Sequence, residues 1–164
     1  MFDPETLARA EAVLAACRAR GWRVATAESC TGGLVTAALT AIPGSSDVVE
    51  RGFVTYSNKA KMELLGVPAE TIAAYGAISA ETAAAMAQGA VARASVDLAV
   101  SVTGVAGPAG STADKPVGLV HLGVARRAGG AHAERHVFPG DRTAIRRAAL
   151  VRALDLLLAE ARSG

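Results

Sequence analysis

The run DLAVSVTG, Asp97 to Gly104, is apolar at almost every position. A strand with one wet face alternates apolar and polar residues, so this one must be covered on both faces, as in a sheet layered between helices. The flanking sequence supplies those helices. In DPETLARAEAVLAACRARG, Asp3 is an N-cap and Pro4 takes the first helical position. Leu7, Ala10, Leu14 and Cys17 recur at helical spacing, which makes Cys17 a core residue, and Gly21 is a C-terminal stop. A strand over 22–28 and a helix over 33–41 follow, closed by the turn Pro43 to Ser46. RGFVTYS, Arg51 to Ser57, reads as a second strand, and NKAKMELLG as a short helix capped by Asn58 and stopped by Gly66. Pro68 opens another short helix and Ser79 caps a longer one reaching Ala94. Beyond the central strand and a glycine-rich loop, strands over 118–125 and 133–138 flank RRAGGAH, a hairpin turn. Asp141 caps the final helix, which runs to about residue 161. The chain is therefore expected to be α/β: one domain over 1–164, three-layer α/β/α, with a mixed, mostly parallel sheet of about five strands.

Composition narrows the function classes. Apolar residues make up 51% of the 164, yet no apolar run reaches the roughly 18 residues that span a bilayer. The start MFDPETLARA lacks the basic and apolar segments of a secretory signal. Cys17 and Cys30 are too few for a disulfide framework or a thiolate metal site, so a cytoplasmic location is the default expectation. The net charge of +2 argues against general nucleic-acid binding. Arginines nevertheless crowd the last forty residues, among them Arg126, Arg127, Arg135, Arg142, Arg146, Arg147 and Arg152. They form either a solvated helix face or, in part, a seat for an anionic substrate.

In layered α/β sheets, ligands collect outside the carboxyl ends of the strands. Three chemistry-bearing segments sit after strand ends: 27–33, 55–61 and 103–116. The first, AESCTGG, places Glu28, Ser29, Cys30, Thr31 and Gly32 where a strand gives way to a helix. Ser and Thr there can simply cap the helix. Alternatively Ser29 attacks a substrate while amides of the helix start, with the Thr31 hydroxyl, receive the developing charge. Cys30 is a second possible nucleophile, but no histidine partners it. Glu28 either orients a substrate hydroxyl or the lysine, or is structural.

In the second segment Lys61 falls in the first turn of its helix, where the dipole disfavours a cation. Burial would act in the same direction, and a lysine that sheds its proton near neutrality is a general base. A surface lysine that reaches water is the plainer alternative. The chain uses fourteen arginines and only three lysines, Lys59, Lys61 and Lys115, and an arginine cannot serve as a basic amine near pH 7. Tyr56 is either a hydrogen-bond donor to this centre or an ordinary strand aromatic. Ser57 is a reserve nucleophile and a possible cap.

The third segment, TGVAGPAGSTADKPVG, begins at Thr103; Gly104, Gly107 and Gly110 could let backbone amides converge on an anion, or merely form a connection. It is neither a Walker nor a Rossmann fingerprint. Ser-x-x-Lys and Gly-x-Ser-x-Gly motifs are absent. HAERH, His132 to His136, lacks the spacing of a helical zinc site, and neither metal nor cofactor is expected.

The segments AESCTGG, TYSNKAKMELLGV, GAISAETAAAMAQGA, SVTGVAGPAGSTADKPVGLV and FPGDRTAIR resemble, in order and spacing, the CinA C-terminal domain family, over about residues 3 to 160. Members of that family are nicotinamide-nucleotide amidases, which convert nicotinamide mononucleotide to nicotinic acid mononucleotide and ammonia. The resemblance implies a serine nucleophile at Ser29, a lysine at Lys61 and a tyrosine at Tyr56, working without metal in a cytoplasmic, usually oligomeric enzyme. It implies a small nucleotide substrate; Arg142, with amides of the glycine loop, is the candidate seat for its phosphate. The loop departs from the family's glycine-richer pattern at Ala109 and Ser111. Starting directly at the first helix, the chain resembles the stand-alone form. The alternatives are a non-catalytic nucleotide-binding module and a regulatory partner in a competence or DNA-damage response.

Overall fold

A computed structural model describes residues 1–163. Five strands, β1 (Val24–Glu28), β2 (Val49–Val54), β3 (Leu98–Gly104), β4 (Leu119–Arg126) and β5 (Gly130–Val137), form one sheet in the order β2-β1-β3-β4-β5. β2, β1 and β3 run parallel; β4 is antiparallel to β3, and β5 to β4. The expected mixed sheet is present, with β2, β1 and β3 as its parallel part. Six helices cover it: α1 (Pro4–Ala19), α2 (Leu34–Thr40), α3 (Asn58–Leu65), α4 (Ala69–Tyr75), α5 (Ala80–Ala94) and α6 (Arg142–Arg162). Among the described residues no helix is long and apolar enough to cross a membrane.

The two faces of the sheet are built from different side chains. Leu98, Val100 and Val102 of β3, with Val120, Leu122 and Val124 of β4, pack against α1, α2 and α6 through Val13, Leu14, Leu39, Ile145, Leu154 and Leu157. The opposite face carries Ala25, Ala27, Ala99 and Ala125, against Met86, Ala87 and Ala90 of α5. Such short side chains let α5 lie close to the strands. Ser101 Oγ donates to the Ala83 carbonyl at 2.6 Å and accepts the Gly123 amide at 3.1 Å. A Cβ at Gly123 would press into both the Ala83 carbonyl oxygen and Ser101 Oγ. Gly123→Ala is therefore expected to destabilise the fold by about 1–3 kcal/mol, the cost of overpacking a close-packed core. A lower urea midpoint at unchanged slope would show it.

Boundaries differ from expectation at three places. β2 starts at Val49 and ends at Val54, because Thr55 to Ser57 leave the sheet to form the entry of α3. β5 starts at Gly130, whose φ of 75° lets the chain turn back at once, so the hairpin is tighter than RRAGGAH. The α3 cap is Ser57 and not Asn58: Ser57 Oγ accepts the Ala60 amide at 3.0 Å, and Asn58 is the first helical residue. A one-residue shift suffices because both residue types can cap.

Candidate active site

The ends of β1, β2 and β3 lie side by side in the sheet, which brings the three segments together. Ser29 directly follows β1, its amide donating to the Val102 carbonyl at 2.9 Å, so the turn is still tied to the sheet. Lys61 projects from α3 beneath it. Its Nζ lies 3.0 Å from Ser29 Oγ, 2.8 Å from the Thr55 carbonyl and 3.4 Å from the Tyr56 carbonyl. Only 1% of Lys61 is exposed, and it is the bulkiest of the fully buried side chains. Burial pushes its pKa below the ordinary lysine value, opposed only in part by Cys30. An ammonium has three donors and no acceptor, whereas a neutral amine has two donors and a lone pair. Two carbonyls and one hydroxyl can satisfy either form: an ammonium donates to all three, whereas in the neutral form, which burial favours, the carbonyls take both N–H groups and the lone pair is left for the Ser29 proton.

Of the roles the sequence left open for Glu28, its surroundings fit the structural one. It is wholly buried and accepts the amides of Gly33 (3.0 Å), Val35 (3.1 Å) and Thr36 (2.9 Å), together with the Thr36 hydroxyl at 3.0 Å. Glu28 thus caps α2 across the whole Ser29 turn, and neither orients a substrate hydroxyl nor touches the lysine. The amides at the helix start, expected to receive an oxyanion, are consumed by this carboxylate. A buried anion satisfies orphan donors and the helix dipole together.

The remaining candidates divide between wall and support. Cys30 lines the cavity, but burial raises its thiol pKa to about 11, so it is protonated and a poor nucleophile. Thr31 is wholly buried behind the turn, and its hydroxyl has no hydrogen-bond partner among the described residues. The Gly32 amide closes the turn onto the Ser29 carbonyl at 3.0 Å. Thr103 lines the cavity while its hydroxyl donates to the Ala77 carbonyl at 2.8 Å. Gly104 sits where a Cβ would come within 2.6 Å of the Leu119 carbonyl oxygen, so its need is close packing. The Gly107 carbonyl accepts from Arg142 Nη1 at 2.9 Å, and Arg142 Nη2 donates to the Tyr56 hydroxyl at 3.2 Å. Tyr56 is 62% exposed; its hydroxyl faces Arg142, and only its carbonyl touches the lysine. With Asn58, Ile78 and the 104–110 loop, these groups line a cavity of about 220 Å³ that opens to solvent.

Four arginines of the C-terminal quarter are paired with carboxylates: Arg126 with Glu160, Arg127 with Asp97, Arg147 with Asp3 and Arg152 with Glu134. Arg142 and Arg146 donate to uncharged oxygens instead. Arg146, not singled out from the arginine cluster in the sequence, bonds the Cys30 and Thr31 carbonyls; the signal that could have found it is its i+4 spacing from Arg142 in FPGDRTAIR. In HAERH, His136 bonds Glu134 and stacks on Phe138. Arg152, and after it His136, holds the Glu134 carboxyl down to about 2.

The family model of the CinA C-terminal domain matches residues 6–161. A nicotinamide-nucleotide amidohydrolase PncC of Enterobacter agglomerans is 51% identical over 146 residues, 89% of each chain. A putative competence-damage inducible protein of Caldicellulosiruptor saccharolyticus is 48% identical over 95% of this chain, but over only 37% of its own length. Among solved structures, the competence/damage inducible protein CihA of Agrobacterium tumefaciens superposes with a TM-score of 0.94 at 47% identity, covering 97% of both chains. Serine turn, buried lysine and glycine loop thus occur in a chain matched almost end to end by one family model, and the protein belongs to the CinA C-terminal domain family.

Proposed function

We propose that this protein hydrolyses the carboxamide of nicotinamide mononucleotide, releasing ammonia and nicotinic acid mononucleotide. The observation that carries the reading is the buried Lys61 amine 3.0 Å from Ser29 Oγ in a cavity rimmed by Arg142. Relatives named as nicotinamide-nucleotide amidohydrolases, similar over most of their own length, support the substrate. Neutral Lys61 takes the Ser29 proton as Oγ attacks the carboxamide carbon. The ammonium so formed gives that proton to the departing nitrogen, leaving an acyl-enzyme. Water, deprotonated by Lys61, then attacks the ester, and Ser29 leaves with the proton that Lys61 returns. Glu28 occupies the α2 amides, so the oxyanion falls to the Cys30 amide beside the nucleophile and to donors of the glycine loop. Tyr56 and Arg142 act at the rim, where the substrate phosphate sits. The enzyme works in the cytoplasm as a homo-oligomer and needs no nucleic-acid partner.

Arg142 supplies the test. Wild type is expected to release ammonia from nicotinamide mononucleotide. In Arg142→Ala, KM should rise by roughly 10- to 150-fold, the about 1.5–3 kcal/mol of a lost charged hydrogen bond. The same substitution should leave turnover of nicotinamide riboside, which lacks the phosphate, unchanged. Equal losses on both substrates would remove Arg142 from the phosphate seat. An inert wild type, on this and related amides, would sink the amidase reading.

A further inference from the structure

The turn that carries Ser29 is held from two sides by opposite charges. Its forward amides belong to Glu28, as described above. Its carbonyls belong to Arg146: Nε donates to the Cys30 oxygen at 3.0 Å and Nη2 to the Thr31 oxygen at 3.1 Å. One planar guanidinium thus binds two consecutive peptide carbonyls, which fixes both against each other in a way a flexible ammonium cannot. Gly32 takes φ 59°, the left-handed conformation that favours glycine, and the Arg146 guanidinium lies against it, 3.6 Å from where a Cβ would stand. Arg146 does not line the Ser29 cavity; it lines a separate cleft with Leu34, Thr143, Arg147 and Leu150. It therefore reaches the nucleophile only through the backbone.

We propose that Arg146 is a positioning residue of the reaction. By holding the Cys30 and Thr31 carbonyls it keeps Ser29 Oγ in line between Lys61 Nζ and the carbonyl carbon under attack. Its cation also polarises the peptide group between residues 30 and 31, strengthening that group's N–H as a donor. The inference rests on Ser29 being the nucleophile, as in the reading above, and is independent of which amide the enzyme cleaves.

Two rates test it: kcat for nicotinamide mononucleotide, and the rate at which a fluorophosphonate labels Ser29, followed by intact mass. In Arg146→Ala both should fall by about 100-fold, the effect of misplacing a reacting group by about 1 Å. KM and the pH midpoint of kcat, which Lys61 sets, should stay at their wild-type values. Guanidinium ion, at concentrations harmless to wild type, should restore part of both rates by occupying the cleft. Arg146→Lys, reaching one carbonyl instead of two, should fall between. Unchanged labelling, a rise in KM at constant kcat, or a folded Arg146→Ala that guanidinium does not rescue would overturn the proposal. If Arg146→Ala does not fold, the labelling rate of Arg146→Lys decides: a wild-type rate rejects the positioning role. A wild type that is labelled at Ser29 but releases no ammonia would defeat the substrate reading alone; one that is not labelled would defeat both.

Discussion

Ser29→Ala is expected to lower ammonia release from nicotinamide mononucleotide by about 10⁴- to 10⁶-fold, the cost of removing a nucleophile whose partners remain. Little else should change. The hydroxyl removed bonds only Lys61, and the residue is small and buried, so substrate binding measured by calorimetry should persist and the melting temperature should hold. No neighbour can substitute. The Cys30 thiol, at about 11, is protonated at neutral pH. Ser57 is occupied as the α3 cap. Activity that survived in this variant would move the chemistry to another hydroxyl and would leave the buried lysine unexplained.

Lys61→Met should cost about 10²- to 10⁴-fold in kcat, the contribution of a positioned general base. It should also change how stability responds to pH. Burial lowers the Lys61 pKa in the folded state below its unfolded value. Between these two values the unfolded chain binds one proton more than the native one, so native stability rises with pH, by about 1.36 kcal/mol per unit. Below the lowered pKa the penalty of burying the charged amine is fully present; above the unfolded value, about 10.4, it is gone. Wild type should therefore gain stability relative to Lys61→Met as pH rises through this window. The wild-type kcat should climb with pH through the same lowered value, since the neutral amine is the active form. Urea melts of the two proteins at several pH values would measure the stability difference. A difference independent of pH would mean that Lys61 titrates alike in both states, and the base assignment would fail with it.

Much of this was legible in the residues. The apolar run at 97–104 announced a strand covered twice, and Asp3, Ser79 and Asp141 cap α1, α5 and α6 through their side chains. Three segments after strand ends were visible as candidates because a strand's end is a local feature. Glu28 stayed open between two roles for a physical reason: a carboxylate beside a serine looks the same in sequence whether it meets substrate or three backbone amides. Arg146 was hidden in the C-terminal arginine cluster because only distance separates a cation paired with a carboxylate from one holding two carbonyls.

The sequence by itself determined the layers, the helix starts and the residue types at the strand ends, since periodicity and capping depend on neighbours within a turn or two. Tertiary structure alone decided that residues 29 and 61 meet at 3.0 Å, that the lysine is buried, and that α6 sets Arg146 against the Ser29 turn. Those facts set the surroundings of the amine and of the hydroxyl. Both depend on the strand order β2-β1-β3 and on burial between two helical layers, which no local stretch of chain encodes.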